Sequence, residues 1–385
     1  TAKVVEQQQE HLYYDVLKEI TNREVPDDIY TVGSPFSVRG HGSDGINGDR
    51  HFYGVGHRRM PDSSYNSEKA HFFSEYGMQS FPEYNTVLRY APDTSTHDIT
   101  SELMMSHQRG GVEANKVIES YVESEYGHPN NFQQFLYASQ LLQGDAMRTA
   151  IEAHRRDMPH CWGSLLWQHD DCWPVASWAT RDYYGNWKAA HYMVRHAFEP
   201  LICSAITKGD TLQVYAVSDL QKKLNGKLNI DIYNLDGADG KSSVNQSVSI
   251  AANTSTLLCE LPLAKILNGR QCEDVVLHMT LSASGNTYET NAFLCLPKDL
   301  HLSVTTPDVE VTQAKDGCMV TLKSDQFVRG LSLEVEGADA NDIRMSNNYN
   351  DLLPGIPAQV LISTTLSADN IKSRLRLHSL CELAH

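Results

Sequence analysis

The segment His71-Phe-Phe-Ser-Glu75, followed by Tyr76-Gly77, decides how the first half of the chain is interpreted. A short apolar run that ends at a turn signal is typical of a buried strand. Glu75 then stands where a parallel strand opens, and a charge at such a place is costly unless it is used. The alternative interpretation is an exposed glutamate that begins a loop. We therefore treat Glu75 as a candidate catalytic residue.

The rest of the first 200 residues predicts alternating strands and helices around this segment. Val5, Leu12, Val16 and Ile20 recur at helical spacing, and Pro26 closes that amphipathic helix. Further strands are predicted at Ile29–Val32, His51–Val55 and Gly163–Gln168, and further helices at 112–123, 131–156 and 186–197. Strands that alternate with helices indicate βα units and a parallel sheet.

The last 185 residues change to a period of two. Leu228, Ile230 and Ile232 alternate with polar residues, as do Leu331, Leu333 and Val335. This alternation is typical of strands that have one face in the core and one in water. Two antiparallel β-sandwiches of about 90 residues each fit the length, with a boundary near Pro297.

Composition and charge exclude several classes of function. The 385 residues carry 48 acidic and 32 basic side chains, a net charge of −16, so the surface field repels nucleic acid. No 20-residue apolar run predicts a membrane-spanning helix. Gly40-His-Gly-Ser-Asp-Gly45 matches a dinucleotide-binding pattern, but more turn residues follow it instead of a helix. His154, His160, His169 and Asp170 have no spacing typical of metal ligands.

All five tryptophans fall between residues 162 and 187. An indole ring has a large apolar face that can pack against a sugar ring, although such rings also fill cores. We expect three or four of the five to lie in the core and one or two to contact a ligand. Trp167 is the best ligand candidate because it lies near the carboxyl end of a predicted strand, the end at which barrel active sites form.

Several motifs resemble segments of the β-mannosidases of glycoside hydrolase family 2, and they follow one another in the order of that family. The motifs are Gly48–Gly54, Ser74–Pro82, Phe135–Gln143, Trp162–Gln168, Trp173–Trp178, Asp182–Lys188 and Ser346–Gly355. The resemblance therefore runs over nearly the whole chain. Ser74–Pro82 resembles the segment that carries the family's nucleophile, which makes Glu75 the nucleophile by resemblance.

The resemblance implies an α/β plus all-β fold: the C-terminal half of a (β/α)₈ TIM barrel followed by two immunoglobulin-like β-sandwiches. By resemblance, residues 1–198 hold barrel strands five to eight, residues 199–297 the first sandwich and residues 298–385 the second. A retaining exo-β-mannosidase hydrolyses terminal β-D-mannose through a covalent glycosyl-enzyme, and no metal or organic cofactor is implied. Trp167 would form the floor of the sugar site, with Tyr53 and His51 as polar contacts. The sequence leaves the compartment open; by resemblance, the enzyme would be periplasmic or secreted in a bacterium and lysosomal in an animal.

The family's acid/base catalyst is the glutamate of an Asn-Glu pair, and this sequence contains no such pair. We therefore expect the chain to be inactive alone and to pair with an upstream, N-terminal part of the same enzyme. Gly56 stands where relatives have a bulky aromatic residue, and His169 interrupts the usual Gln-Leu-Asn-Asp segment. The open alternatives are another family 2 exo-glycosidase (β-galactosidase, β-glucuronidase or exo-glucosaminidase) and a non-catalytic sugar-binding or structural fragment.

Overall fold

The computed structural model describes residues 2–36, 45–237 and 241–383. The glycine-rich pattern that begins at Gly40 lies, apart from Gly45, outside these residues. In the part of the chain that is described, none of the helices combines the length and the apolar character needed to cross a bilayer.

The chain begins with an exposed amphipathic helical segment. It runs as α1 (Ala2–Glu10), a π-helical turn (His11–Val16) and α2 (Leu17–Glu24), and it ends two residues before Pro26 as the sequence predicts. Its apolar stripe is largely uncovered, because Val5, Leu12 and Ile20 are each at least 40% exposed. The predicted strand at Ile29–Val32 is wrong: these residues form no strand, and Ile29 is 93% exposed. A strand needs a neighbour that accepts and donates its backbone hydrogen bonds, and none of the described residues supplies one.

A three-stranded parallel sheet follows, in the order β1 (Arg50–Phe52), β2 (Phe72–Tyr76), β3 (Gly163–Ser164). Around it lie a kinked turn α3 (Gly54–His57), in which Val55 and Gly56 have non-helical backbone, and the helices α4 (Tyr84–Tyr90), α5 (Glu102–Ser106), α6 (Ala114–Glu125), α7 (Phe132–Arg156) and α8 (Ala189–Ala197). All three strands overlap strands that the sequence predicts. β1 begins one residue before its predicted start and ends earlier, β2 is shifted by one residue, and β3 is shorter than predicted. The prediction of parallel βα units is confirmed for this sheet.

The helix α7 is the longest of the described helices and lies at the centre of the packing. Asn131 caps it by accepting a hydrogen bond from the backbone N–H of Gln134, 3.0 Å away. Leu136, Leu141 and Ile151 are all buried, and α7 packs against α6, α8 and β3. A helix that is buried on several sides is typical of an interior position between layers.

Two antiparallel β-sandwiches form the rest of the chain. The first contains β4 (Leu201–Lys208), β5 (Thr211–Ser218), β6 (Leu224–Asn234), β7 (Lys241–Ile250), β8 (Thr254–Pro262), α9 (Leu263–Leu267), β9 (Val275–Ala283) and β10 (Asn286–Ala292). Its sheets have the orders β4-β5-β8 and β10-β9-β6-β7. Leu228, Ile230 and Ile232 are buried between them, as their alternation predicts.

The second sandwich contains β11 (Asp308–Ala314), β12 (Gly317–Lys323), β13 (Val328–Val335), β14 (Ile343–Met345), β15 (Asn350–Leu352), β16 (Ala358–Thr364), α10 (Ala368–Arg374) and β17 (Leu375–His378). Its sheets have the orders β11-β12-β16-β14 and β15-β13-β17. Short 3₁₀ helices occur at Asp62–Asn66, Thr94–Thr96, Cys272–Asp274, Pro297–Asp299 and Leu380–Glu382.

The strand β13 differs from the prediction of one wet face. Leu331 and Leu333 are buried as expected, but Ser332 between them is also only 4% exposed. The reason is that α7 covers the other face: the hydroxyl of Tyr137 donates a 2.7 Å hydrogen bond to the carbonyl of Gly330. The parallel sheet, its helices and the second sandwich accordingly share one hydrophobic core, whereas most of the first sandwich has a core of its own.

A buried charge cluster connects α7 to the second sandwich. Arg329 on β13 contacts Asp145 of α7 at 2.6 Å and Asp351 of β15 at 2.9 Å. Tyr126 also donates a 2.6 Å hydrogen bond to Asp145. Although burial acts to raise it, the positive charge of Arg329 keeps the pKa of Asp145 below its usual value. We call Arg329, Asp145 and Asp351 the interdomain clamp.

Candidate active site

Glu75 lies near the carboxyl end of β2, directly beside β1. His51 of β1 is its partner in the parallel register. Because both strands run in the same direction, the residues that follow them emerge at one edge of the sheet. Tyr53, the first residue after β1, therefore reaches the same place as Glu75. The carboxyl edge of a parallel sheet is where α/β enzymes place their reactive groups.

Two side chains of the β1 segment converge on one oxygen of Glu75. The hydroxyl of Tyr53 donates a hydrogen bond of 3.0 Å to Oε2 of Glu75. Nδ1 of His51 lies 3.5 Å from the same oxygen. The Glu75 side chain is 29% exposed, so a ligand can reach it. Burial, reinforced by the adjacent Glu75 carboxylate, raises the pKa of Tyr53 far above its usual value, so Tyr53 stays a donor.

A second group of polar residues contacts the other ring nitrogen of His51. Oγ of Ser34 lies 2.8 Å from Nε2 of His51 and donates a 2.5 Å hydrogen bond to Asp49. Asp49 also accepts hydrogen bonds from the hydroxyl of Ser74 and from the backbone N–H of Phe36. Burial acts to raise the pKa of Asp49, but these hydrogen bonds outweigh it and lower the pKa, so Asp49 is a carboxylate.

Aromatic side chains form a wall next to Tyr53. The ring of His57 stacks on Tyr53 with centroids 4.7 Å apart, and it meets Trp178 edge-on at 5.6 Å. Burial lowers the pKa of His57, which keeps this ring neutral. The indole N–H of Trp178 is buried and has no hydrogen-bond acceptor among the described residues. An unpaired buried donor in a cleft is a place where a further group can bind.

Trp167 is connected to the Glu75 strand through its backbone. Its N–H donates a 2.8 Å hydrogen bond to the carbonyl of Tyr76, the residue after Glu75. A Cβ on Gly77 would overlap with the carbonyl oxygen of Trp167, so only glycine allows this close approach. Trp167 as a whole is 40% exposed. The peptide bond between Trp167 and Gln168 is cis.

The sequence expectation that most tryptophans lie in the core is wrong. Each of the five retains some accessible surface, from the part-buried Trp173, Trp178 and Trp187 to the exposed Trp162 and Trp167. The reason is that no described layer covers these indole rings completely, although their neighbours Ala176 and Ala179 are buried.

The side chain of Gln143 on α7 joins three of the motifs quoted above. Its amide donates hydrogen bonds of 2.9 Å to the carbonyls of Met78 and Trp178, and its oxygen accepts one of 2.7 Å from Ser80. The buried ammonium of Lys188 binds the carbonyl of Ser80 at 3.1 Å. The segment after Glu75 is thus held against the tryptophan-rich segment by buried polar contacts, which fix positions more strictly than apolar packing does.

Gly56, next to this site, has a backbone conformation that residues with a Cβ rarely adopt. Its φ is +85°, and a Cβ there would lie 3.3 Å from the carbonyl oxygen of Gly77. Its N–H donates a 2.9 Å hydrogen bond to Tyr121. A bulky aromatic residue would require a different backbone at this position.

The histidines that could be imagined as metal ligands lie apart. His154 is buried against Phe73, with ring centroids 3.7 Å apart, and His160 contacts Asp157 at 2.8 Å. His169 lies at the rim of a separate cavity. Within the described ranges, no three His, Cys, Asp or Glu side chains are grouped so that they could hold a metal ion.

The structure thus brings Glu75, Tyr53 and His51 into direct contact and places the Trp167 backbone beside them. Sequence reasoning did not single out Asp49, His57 or Ser34. Asp49 could have been found, because it lies two residues before His51 in the Gly48–Gly54 motif. No local pattern indicates Ser34, since its contact with Ser74 spans 40 residues.

Comparisons with known proteins agree with this architecture. Residues 210–299 match the family model "Mannosidase Ig/CBM-like domain", and residues 302–383 match an Ig-fold domain model of mannosidases. Beta-mannosidase B of Aspergillus terreus is 26% identical over 381 residues, which cover 93% of this chain and 44% of the relative. The beta-mannosidase of Bos taurus is 29% identical over 216 residues, or 52% of this chain and 24% of the relative.

Solved structures show a similarity of the same kind. The β-D-mannosidase from Dictyoglomus thermophilum superimposes with a TM-score of 0.85 at 25% identity, covering 96% of this chain and 44% of that one. An exo-chitosanase from Amycolatopsis orientalis shares the fold, with a TM-score of 0.62 at 18% identity over 86% of this chain and 44% of that chain. This chain spans less than half the length of these relatives. Together, these matches support the identification of this chain as a C-terminal fragment of a β-mannosidase of glycoside hydrolase family 2.

Proposed function

We propose that this chain is part of a retaining exo-β-mannosidase and that Glu75 is its nucleophile. The observation that carries the proposal is the position of Glu75 at the carboxyl edge of the parallel sheet, where Tyr53 and His51 contact one of its oxygens. A carboxylate that is partly accessible and oriented by neighbours is suited to attack an anomeric carbon. The substrate would be a β-mannoside or oligosaccharide with terminal β-D-mannose.

In the proposed reaction, an oxygen of Glu75 forms a bond to the anomeric carbon while the glycosidic bond breaks. The departing oxygen takes a proton from a general acid, and water later hydrolyses the glycosyl-enzyme with overall retention. Asp49 is connected to Glu75 through His51, but its lowered pKa makes it a poor proton donor. We therefore place the acid/base residue in a part of the whole enzyme outside these 385 residues, and expect this chain alone to be inactive.

Tyr53 and His51 have proposed roles that follow from their contacts. Tyr53 donates to Oε2 of Glu75, which orients the carboxylate and leaves Oε1 for the attack. His51 bridges from Glu75 towards Ser34 and fixes the same oxygen from the other side. Trp167 would provide the floor of the site that holds the terminal mannose.

The fold also suggests where the upstream part of the enzyme would bind. We propose that residues 1–198 form strands and helices of a (β/α)₈ barrel that the upstream part completes, and that residues 199–297 and 298–385 are separate sandwich domains. The apolar stripe of α1 and α2 is uncovered, and β1 and β3 are edge strands among the described residues. Such edges and faces favour association with further chain. An upstream segment would also offer an acceptor for the unpaired indole N–H of Trp178.

A second candidate is another exo-glycosidase of the same family, because an exo-chitosanase shares the fold. A third is a sugar-binding or structural fragment without catalysis, which the missing Asn-Glu pair favours for this chain alone. The first two candidates differ in the sugar that they accept, whereas the third predicts that Glu75 contributes nothing to hydrolysis.

The test uses the full-length protein with its upstream sequence and a panel of nitrophenyl glycosides. We expect β-mannoside to be the preferred substrate, and Glu75→Gln to lower kcat by a factor of about 10⁴ or more. Glu336→Gln, an exposed carboxylate on the second sandwich, is the matched control and should keep full activity. Trapping with a 2-fluoro-mannoside should add one sugar to the peptide that contains Glu75. Label on another peptide, or full activity of the Glu75 variant, would refute the assignment.

A further inference from the structure

A cavity of about 310 Å³ lies between the segment after β3 and the second sandwich, and no step of the proposed hydrolysis uses it. Its walls come from His169, Arg181, Asn186, Trp187 and His191 on one side and from β13 and the β14 segment, including Arg344, on the other. Ligand cavities in proteins begin at about 300 Å³, which is room for one sugar ring.

Positively charged side chains gather at this cavity. Arg181 and Arg344 line it, and Arg195 lies next to it. The guanidinium groups of Arg195 and Arg344 lie 5.7 Å and 5.6 Å from the ring centroid of Trp187. Among residues 2–36, 45–237 and 241–383, no carboxylate forms an ion pair with any of these three arginines. Arg181 and Arg195 each donate a hydrogen bond to a neutral backbone carbonyl, that of Gly185 at 3.2 Å and that of Ser346 at 2.7 Å, which leaves their charges uncompensated.

The three carboxyl groups that line the cavity do not cancel this charge. Burial, together with nearby negative charges, raises the pKa of Glu83 well above its usual value, which favours its neutral form. Glu334 lies 3.6 Å from His378, and hydrogen bonds to Glu334 and Glu382 raise the pKa of His378 to about 9, so His378 is positively charged. Asp339 forms a 3.0 Å ion pair with Arg89. The surplus charge of the cavity is therefore that of the arginines.

His191 adds a hydrogen-bond acceptor to the same wall. The hydroxyl of Thr180 lies 3.1 Å from the carbonyl of His169 and 2.9 Å from Nδ1 of His191, and we assign the tautomer in which the hydroxyl donates to the carbonyl and Nδ1–H donates to the hydroxyl. Burial, aided by the surrounding positive charges, lowers the pKa of His191 to about 4, so the ring is neutral at pH 7. Nε2 is then a bare acceptor, which fits a ligand hydroxyl and not an anionic oxygen.

We propose that this cavity binds a small hydroxylated anion, namely one sugar ring that carries a carboxylate or a phosphate ester. Arg181 and Arg344 would bind the charged oxygens, for which guanidinium geometry is well suited, and His191 would accept from a ring hydroxyl. The site is distinct from Glu75, and the proposal does not depend on the hydrolytic function.

The test is isothermal titration of the protein with D-glucuronate, D-mannose 6-phosphate, inorganic phosphate and D-mannose. We expect at least one of the two acidic sugars to bind, and both phosphate and mannose to bind at least about tenfold more weakly than that sugar. The preferred acidic sugar distinguishes a carboxylate ligand from a phosphate ester. If neither acidic sugar binds at 10 mM, or if phosphate binds as tightly as mannose 6-phosphate, the proposal is overturned.

Variants assign the binding to this cavity. Arg181→Gln and Arg344→Gln should each weaken the acidic sugar about tenfold or more, because each removes a charge-assisted hydrogen bond. Arg376→Gln is the matched control, since Arg376 pairs with Glu336 outside the cavity. Thermal melting of each variant shows whether it is folded. Equal affinity in folded Arg181 and Arg344 variants would place the binding elsewhere and contradict the proposal.

Discussion

Replacing Arg329 by methionine is the sharpest test of how the two halves of the molecule are held together. Arg329 is 3% exposed and pairs with Asp145 and Asp351, whose side chains are 15% and 7% exposed. Arg329→Met keeps most of the apolar volume but leaves two buried carboxylates without their cation. Breaking a buried ion pair from one side costs roughly 3–5 kcal/mol of unfolding free energy.

The chain contains a matched control for this experiment. Arg376 and Glu336 are also 2.6 Å apart, as Arg329 and Asp145 are, but their side chains are 46% and 55% exposed. An exposed pair contributes about 0–1 kcal/mol. Since the two 2.6 Å distances are equal, a difference between Arg329→Met and Arg376→Met reports the burial of the clamp and its second carboxylate, Asp351, and not the length of the contact.

Urea unfolding followed by tryptophan fluorescence is the appropriate assay, because all five tryptophans lie between residues 162 and 187. The signal therefore reports the parallel sheet and its surroundings, whereas Arg329 belongs to the second sandwich. We expect Arg329→Met to lower the fluorescence midpoint by about 1 M urea or more, and Arg376→Met to shift it by less than about 0.3 M. An unchanged midpoint in Arg329→Met, or equal shifts in both variants, would refute the coupling that we assign to the interdomain clamp.

Three further predictions concern the candidate site and its surroundings. Tyr53→Phe in the full-length enzyme should lower kcat about 10- to 100-fold with little change in KM, because Glu75 loses an orienting hydrogen bond; steady-state kinetics measure this. Gly77→Ala should destabilise the fold by about 1–3 kcal/mol in urea unfolding, because its Cβ overlaps with the Trp167 carbonyl. The pKa of His378 is raised from 6.5 to about 9 in the folded state, so its stabilisation is complete below pH 6.5 and is lost as the pH rises through 9. The urea midpoint should therefore fall between pH 7 and pH 10, and less steeply in His378→Gln.

Each of these predictions has a control and a contrary result. Tyr30→Phe removes a hydroxyl that donates to the backbone of Tyr13, away from Glu75, and should leave kcat unchanged; the same kcat in both tyrosine variants would contradict the role of Tyr53. Gly33→Ala adds a Cβ with nothing within 4 Å and should be neutral; a stable Gly77→Ala would show that the contact with Trp167 relaxes freely. His301→Gln removes an exposed pair and should keep the wild-type pH slope. An unchanged slope in His378→Gln would exclude His378 as its source.

The sequence predicts the sheet better than it predicts the surroundings of the sheet. Glu75 and His51 could be placed together because parallel strands align their carboxyl ends, and this is a consequence of topology. Ile29–Val32 looked similar in pattern, but a strand depends on a partner that the local sequence does not specify. A short segment shows whether its residues suit a strand, but it does not show whether a neighbouring strand is present to pair with it.

The interdomain contacts could not have been predicted from local patterns. Arg329 and Asp145 are 184 positions apart, and neither stands in a motif whose spacing suggests an ion pair. The burial of both faces of β13 is likewise decided by α7, which lies far away in the sequence. The family resemblance did mark the Ser346–Gly355 segment, and its Tyr349 donates a 3.0 Å hydrogen bond to Gln140 of α7.

The shared core of the first and last parts of this chain has a consequence for biosynthesis. A ribosome releases α7 well before β13, and the first sandwich, with most of its core to itself, is made in between. Because chains fold from the N-terminus as they are made, the side of α7 that β13 covers stays open to solvent until the final hundred residues emerge. A premature stop before β13 would therefore yield a polypeptide in which this apolar face of α7 stays exposed. Chaperones retain such species, and proteases remove them.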